Sequence, residues 1–339
     1  MMDNARLHLT APPHLTAPDS TDRIMWSVVG SLAPVVAAAL YFFGLQALLV
    51  LVAATGGALV TERWLGQAGT LRDGSAAITG LLLGLTLPPG IALWIAFLGG
   101  FVAIGLGKLI FGGLGQNVFN PALLGRAFLQ AAFPTVLTTW TAPTGSWTSV
   151  SAGTFALPLF QGVATDAITA ATPLGSMKFE STTTDSWALM MGDVSGSLGE
   201  TGGLLILVGG GYLAAKNYLN WRIPVGIFIT VTIFSQILFM VDPARFPPPL
   251  FHLFAGGLML GAVYMATDLV TSPVTNKGAW IFAFGIGLLV VLIRTWGGLP
   301  EGVMYAILLM NAMVPFIDRA TQPRVFGTGA AEAEGRVAS

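Results

Sequence analysis

The sequence has no cysteine and only three histidines. Without cysteine, the chain can form neither disulfides nor cysteine-ligated iron–sulfur clusters. His8 and His14 precede the first apolar segment and His252 stands alone, which argues against a bis-histidine haem inside a membrane. If electrons pass through this chain, an organic cofactor must carry them.

Charge is also scarce. Only 9% of the 339 residues are charged, whereas 54% are hydrophobic, and a typical soluble domain carries about a quarter charged residues. The net charge of −1 offers no electrostatic basis for binding nucleic acid. Apolar stretches near the roughly 20 residues that span a bilayer recur along the chain. The composition therefore predicts a polytopic membrane protein that is surrounded by lipid.

Ten apolar segments can be drawn. They are 24–43, 45–62, 74–87, 91–111, 118–134, 201–219, 223–241, 250–267, 279–296 and 301–317. Prolines shorten two of these helices: Pro88 ends the third, and Pro121 and Pro134 mark the start and the end of the fifth. At about 1.5 Å per residue, these two helices are too short to cross roughly 30 Å of hydrocarbon.

Two weak internal matches relate the halves of the chain. "GGLGQNVFNPALLGRA" (112–127) aligns with "GGLPEGVMYAILLMNA" (297–312), and 79–87 aligns with 256–264. Repeats of five segments insert with opposite topology, and inverted repeats with broken helices build sites near the membrane midplane. The predicted fold is an all-α polytopic membrane protein with about ten transmembrane segments in two inverted five-helix repeats. This architecture alone leaves transporter, channel and redox subunit open.

The predicted organisation follows from the segments and the charges. It comprises a disordered cytoplasmic tail (1–22), the first repeat (23–134), a loop (135–200), the second repeat (201–320) and a cytoplasmic tail (321–339). With both termini in the cytoplasm, eleven lysines and arginines lie inside, and only Lys178, Arg245 and Arg294 lie outside. This bias follows the positive-inside rule and puts residues 135–200 on the external side.

The loop contains one stretch with the chemistry of an attachment site, "TDAITAATPLGS" (165–176). Thr172 precedes Pro173, which disfavours the helical region and keeps Thr172 extended. Its hydroxyl is flanked by small residues and could be esterified. The alternative is an ordinary solvated loop of turn-forming residues.

A second stretch, "GQNVFNPALLGRAF", starts a short helix. Asn120 before Pro121 is a good N-cap, and the amides of Asn117 and Asn120 could instead bind a polar heterocycle. Arg126, farther along, is costly at membrane depth. It could cap backbone carbonyls or contact an anionic cofactor or an ion path.

Four stretches together resemble the RnfD family, the D subunits of the Rnf complex, and its relative, the B subunit of the sodium-pumping NADH:quinone reductase. They are "DGSAAITGLLLGLTLPP", "GQNVFNPALLGRAF", "DAITAATPL" and "MATDLVTSPVTNKG", and the resemblance runs from about residue 24 to residue 320. The short N-terminal tail favours the Rnf member.

The resemblance implies two flavins. FMN is joined through its phosphate to the last threonine of a Ser/Thr-Gly-Ala-Thr motif in this family. The matching residues are Thr169-Ala170-Ala171-Thr172, so Thr172 is the expected acceptor, with Ala170 in place of the usual glycine. Riboflavin is expected to bind noncovalently near Asn117 and Asn120.

The resemblance also implies a function. We expect a subunit, inactive alone, of a complex in the bacterial inner membrane that couples electron transfer between ferredoxin and NAD to Na⁺ or H⁺ transport. Thr172 is expected on the periplasmic side, and partner subunits are expected to hold iron–sulfur clusters and a second set of flavins. The alternatives are a component of the quinone-reducing complex and a solute channel or transporter of similar fold.

Overall fold

The computed structural model describes residues 19–323, except 67–69, 142, 144–146, 149, 159–170, 193 and 244. Within this part the chain is helical and contains no strand. The predicted tails, 1–22 and 321–339, lie mostly outside the described residues.

Thirteen α-helices follow one another in the described residues. They are α1 (Thr21–Leu65), α2 (Ser75–Leu85), α3 (Leu93–Gly107), α4 (Pro121–Ala132), α5 (Pro134–Leu137), α6 (Pro173–Gly175), α7 (Ser186–Met191), α8 (Gly203–Ala215), α9 (Arg222–Val241), α10 (Pro249–Phe254), α11 (Leu258–Leu260), α12 (Asn276–Trp296) and α13 (Val303–Thr321). A π-helical turn, Gly261–Met265, extends α11.

Six helical stretches in the described residues are long and apolar enough to cross a membrane. They are Thr21–Leu65, Leu93–Phe111, Leu198–Ala215, Arg222–Val241, Asn276–Trp296 and Val303–Thr321. Together with the shorter apolar helices they confirm the predicted class, an all-α polytopic membrane protein.

The 45 residues of α1 form a hairpin of two spans. Its helical geometry breaks at Gly44, with φ 61° and ψ −143°. A straight helix of that length would extend roughly 68 Å, yet the indole of Trp26 near its start donates to the carbonyl of Arg72, just beyond its end, over 3.2 Å. The two arms therefore run antiparallel and match the predicted segments 24–43 and 45–62.

Short helices mark both halves of the chain. The 11 residues of α2 and the 12 of α4 extend only about 17–18 Å each, as the prolines predict. The segment predicted as one helix over 250–267 is instead divided into α10 and α11. Gly256 stands at that break with φ +70°, and Gly74 before α2 has φ +78°. Each half thus enters its broken helix through a left-handed glycine.

One contact recurs in both halves. Arg126 on α4 donates from Nη1 to the carbonyl of Thr86, just past α2. Asn311 on α13 donates from Nδ2 to the carbonyl of Thr271 over 2.8 Å. Donor and acceptor are 40 residues apart in both cases, and the match of 112–127 with 297–312 pairs Arg126 with Asn311. The shared contact supports the predicted repeats.

A buried cation provides a second correspondence. Lys108 directly follows α3 and donates from Nζ to the hydroxyl of Ser75 over 2.7 Å. Arg294, in the last turn of α12, donates from Nη2 to the carbonyl of Ala255 over 2.8 Å. In each half, a buried cation at the end of the fourth predicted segment therefore binds a residue near the start of the short helix that precedes it, α2 in one half and α11 in the other.

Candidate functional site

Thr172 lies where the long connection meets the helices. Its backbone is extended, with φ −72° and ψ 155°, and it caps α6 by accepting a hydrogen bond from the Gly175 amide over 3.1 Å. Pro173 is buried while Ala171 is exposed. The conformation is the one that Pro173 predicts.

Thr172 stands at the edge of a cavity of about 550 Å³, here called the Thr172 cavity. Aromatic side chains contribute flat apolar walls: Trp140, Phe179 and Tyr305. Charged side chains contribute the polar part: Arg126, Glu180, Glu200 and Glu301. A mostly apolar space with a few converging polar groups is typical of a site for an organic ligand.

Two of the carboxylates at this cavity, Glu200 and Glu301, were not predicted as site residues. Glu200 is buried just before α8 and accepts a hydrogen bond from Ser197 Oγ over 2.7 Å. Glu301 precedes α13 and accepts from the Gly257 amide over 3.0 Å and from Arg294 over 3.4 Å. Each is an isolated acidic residue at the start of a span, which is the only sign of it in the sequence.

A second, smaller cavity of about 110 Å³ contains the asparagine pair, and it is here called the Asn120 cavity. Asn120 caps α4, because its Oδ1 accepts from the Leu123 amide over 3.2 Å, and its Nδ2 donates to the Met265 carbonyl over 3.1 Å. Asn117 donates from Nδ2 to the carbonyl of Phe119 over 3.3 Å. The capping role predicted for Asn120 is confirmed.

Two ionisable groups outside the spans border the Asn120 cavity. Packing around Asp268 raises the pKa of its carboxyl, against hydrogen bonds from the Val270 amide and the Thr271 hydroxyl. Tyr218 donates to Asp19 Oδ1 over 2.9 Å, and this hydrogen bond raises the pKa of the phenol. Near neutral pH, Tyr218 is therefore a hydrogen-bond donor that ties the start of α1 over the cavity.

Helix α4 connects the two cavities. Pro121 and Ala122 border the Asn120 cavity, whereas Arg126 and Gln130 border the Thr172 cavity. Ala122 and Arg126 are about one helical turn, or roughly 6 Å, apart along the axis. The structure thus brings the predicted residues to two neighbouring sites that share one short helix.

Comparison with known proteins identifies the relatives of this architecture. A sequence profile of the NQR2, RnfD, RnfE family matches residues 8–327. The chain belongs to this family. Within it, the chain is 42% identical over 334 residues to the D subunit of the proton-translocating ferredoxin:NAD(+) oxidoreductase complex of Clostridium ljungdahlii, covering 94% of this chain and 96% of that one.

Two further members are similarly close. The D subunit of the ion-translocating oxidoreductase complex of Stutzerimonas stutzeri is 43% identical, over 92% of this chain and 93% of its own. The D subunit of the Na(+)-translocating ferredoxin:NAD(+) oxidoreductase complex of Acetobacterium woodii is 40% identical, over 96% and 97%. The resemblance predicted from the four motifs is confirmed.

This family member also buries an ion pair beside the Asn120 cavity. Lys108 Nζ lies 2.9 Å from Glu62 Oε1 and 3.8 Å from Asp73 Oδ2. Lys108 and Glu62 are only 2% and 1% exposed, a burial that the charge pattern of the sequence did not predict. Among the described residues, no group of three or more histidine, aspartate or glutamate side chains could hold a metal ion.

Proposed function

We propose that this chain is the D subunit, a membrane component, of an ion-translocating oxidoreductase complex. The complex would transfer electrons between ferredoxin and NAD and move Na⁺ or H⁺ across the bacterial inner membrane. The names of three relatives, together with family membership over residues 8–327, support this proposal. The coupling ion stays open, because one relative is named for protons and another for Na⁺.

The observation that carries the flavin proposal is the position of Thr172 beside a cavity of about 550 Å³. Pockets for drug-sized organic ligands range over roughly 300–1,000 Å³, so the space suits a flavin. Thr172 would hold FMN through a phosphoester to its hydroxyl oxygen. When bound, FMN would supply one- and two-electron transfer chemistry.

The side chains that line the Thr172 cavity have the chemistry that FMN needs. Trp140, Phe179 and Tyr305 offer apolar faces to a flat ring. Arg126 offers a positive charge and N–H donors to the electronegative edge of such a ring. The backbone at Thr172 is extended, and a flavin transferase would form the ester at its hydroxyl.

Gel fluorescence of the Thr172→Ala variant tests the attachment. The chain should be produced with a flavin transferase, because a phosphoester survives denaturation and the band then fluoresces under ultraviolet light. Thr172→Ala should abolish the fluorescence. Thr138→Ala, in the same cavity, is the matched control, and Thr169→Ala tests the rival acceptor, which lies outside the described residues. A fluorescent Thr172→Ala band would disprove the assignment.

We propose riboflavin for the Asn120 cavity, with Asn117 and Asn120 as hydrogen-bonding residues. The polar groups suit an isoalloxazine edge, but about 110 Å³ is below the usual range for such ligands. Binding would therefore require the residues around Tyr218 and the start of α1 to move apart. The Asn117→Ala/Asn120→Ala double variant should lose noncovalent flavin and keep covalent FMN. If the folded double variant kept its riboflavin content, the two asparagines would serve only as a helix cap and a turn, and the proposal would be wrong.

We propose that Thr172 faces the periplasm and that both termini face the cytoplasm. Lys178 of the long connection donates to the carbonyl of Arg294 over 3.1 Å, at the end of α12, and Lys277 lies at the start of that helix. The 21 residues of α12 extend about 31 Å, enough to separate the two sides. In whole cells, an impermeant thiol reagent should label Ser186→Cys and not Lys277→Cys. The reverse pattern would invert the orientation.

Partner subunits would contain the iron–sulfur clusters, since this chain has no cysteine, and they would also contain further flavins. Vesicles with the whole complex should build an ion gradient when ferredoxin and NAD are both supplied, and the isolated chain should not. Turnover in sealed vesicles without a gradient would contradict coupling. A quinone acceptor would indicate the related quinone-reducing complex, and a purified chain without any flavin would favour a transporter.

A further inference from the structure

Arg126 is positively charged, although a neutral donor could also bind the backbone carbonyl that it contacts. It is 8% exposed in the middle of α4, where an isolated charge is unfavourable. Within the described residues, its hydrogen bond runs from Nη1 to the carbonyl of Thr86. A guanidinium has five N–H donors, and the rest of this one borders the Thr172 cavity.

The second half of the chain meets the same backbone requirement without a charge. Asn311 donates to the Thr271 carbonyl across the same 40-residue separation. It is 1% exposed, and its Oδ1 is buried without a partner among the described residues. A neutral amide thus suffices to hold the carbonyl at this position of the fold. The positive charge of Arg126 therefore acts on the Thr172 cavity, which Glu200 and Glu301 also border.

We infer that the positive charge of Arg126 raises the reduction potential of a flavin in the Thr172 cavity. This inference rests on the proposed function. Each electron taken from an iron–sulfur or flavin donor adds one negative charge to the ring system, and no bond is formed or broken in that step. A nearby fixed cation favours the reduced form, and it acts more strongly in a cavity than in water.

Glu200 predicts an effect of opposite sign. It borders the same cavity, and at alkaline pH, where its carboxyl is ionised, its negative charge disfavours the reduced ring and partly offsets Arg126. In a Glu200→Gln variant the side-chain carbonyl can still accept the hydrogen bond that Ser197 donates to Oε1. The fold contact is then kept while the charge is removed. The two variants separate an electrostatic effect from a general disturbance of the cavity, which would not change sign.

Redox titration of the covalent flavin tests the inference. The full chain is produced with flavin transferase, purified in detergent and titrated with dithionite while the flavin absorbance is followed. Arg126→Gln, which keeps an amide donor for Thr86, should shift the ratio of oxidised to reduced flavin at least tenfold toward oxidised, about 59 mV for a one-electron couple. Arg126→Lys should retain most of the potential of the unaltered chain. At alkaline pH, where the Glu200 carboxyl is ionised, Glu200→Gln should shift the ratio toward reduced.

The control and the contrary outcomes are distinct. Asn311→Gln should leave the potential unchanged, because it alters the corresponding contact in the other half. An unchanged potential in a fluorescent Arg126→Gln or, should that variant not fold, in a fluorescent Glu200→Gln titrated at alkaline pH would overturn the inference. A downward shift in both would also overturn it. Absence of fluorescence from the unaltered chain would instead disprove the flavin proposal, and this inference with it.

Discussion

Lys108 and Arg294 occupy corresponding places in the two halves, but their surroundings differ. Lys108 faces the carboxylate of Glu62, whose side chain is completely buried. Arg294 mainly caps the carbonyls of His252 and Ala255, and its acidic partner Glu301 is 23% exposed. A broken helix in a membrane leaves backbone groups that need partners. Arg294 meets this need directly by capping two carbonyls, whereas Lys108 contacts the side chains of Glu62 and Ser75.

Lys108→Met should have the largest effect, because it leaves Glu62 buried without its cation. We expect a loss of about 3–5 kcal/mol in the free energy of unfolding in detergent. The Lys108→Met/Glu62→Gln double variant should recover much of that loss, since no unpaired charge remains. A double variant as unstable as the single one would show that the ion pair is not the cause.

Arg294→Met should be less destabilising than Lys108→Met, because it leaves carbonyls rather than a fully buried charge without a partner. We expect a loss of about 3 kcal/mol or less in the free energy of unfolding. Arg294→Gln keeps a donor that could reach one of those carbonyls and should lose less. Thermal unfolding of both variants beside Lys108→Met gives the ranking. If Arg294→Met were more damaging than Lys108→Met, the distinction between the two halves would be wrong.

Gly44→Ala tests the connection between the first two spans. Gly44 turns the chain at φ +61°, and a Cβ there would lie 2.7 Å from the carbonyl oxygen of Trp147. We expect a loss of about 2 kcal/mol. Gly56→Ala is the matched control in the same helix, with nothing within 4 Å of its added Cβ, and it should gain about 0.5–1 kcal/mol. Equal stability of the two variants would contradict the hairpin geometry.

Trp26→Phe should have the smallest effect. It keeps an aromatic ring at the position and removes the 3.2 Å hydrogen bond to the Arg72 carbonyl. Because Trp26 is half exposed and water can replace the lost donor, we expect a loss of about 1 kcal/mol or less. Thermal unfolding against the unaltered chain measures it. A loss as large as that of Gly44→Ala would mean that this contact, rather than the turn, holds the hairpin closed.

Local signals predicted much of the fold. Apolar length and proline position found α2, α4 and the two arms of α1, because bilayer thickness and proline chemistry act on neighbouring residues. The break at Gly256 was missed, since a glycine among apolar residues looks the same in an intact helix. The match of 79–87 with 256–264 was also out of register, because it pairs Thr86 with Val263, whereas the structure gives Thr271 the corresponding contact.

The site was predicted less completely. The extended state of Thr172 and the capping by Asn120 depend on the adjacent proline, and the structure agrees with both. Glu200 and Glu301 are 101 positions apart and meet at one cavity only through tertiary packing. The burial of Lys108 likewise depends on Glu62, 46 residues earlier. Such long-range meetings leave no periodic pattern in one sequence.

Lys178 donates a hydrogen bond to the carbonyl of Leu299, 121 residues later in the chain. This contact has a consequence for biosynthesis. Ribosomes deliver the chain N-terminus first at about 5–20 residues per second, so Leu299 emerges roughly 6–24 s after Lys178. Until then the Thr172 segment lacks the wall that α13 and its preceding turn provide. The nascent protein therefore passes through an interval in which Thr172 is translated but still uncovered on that flank.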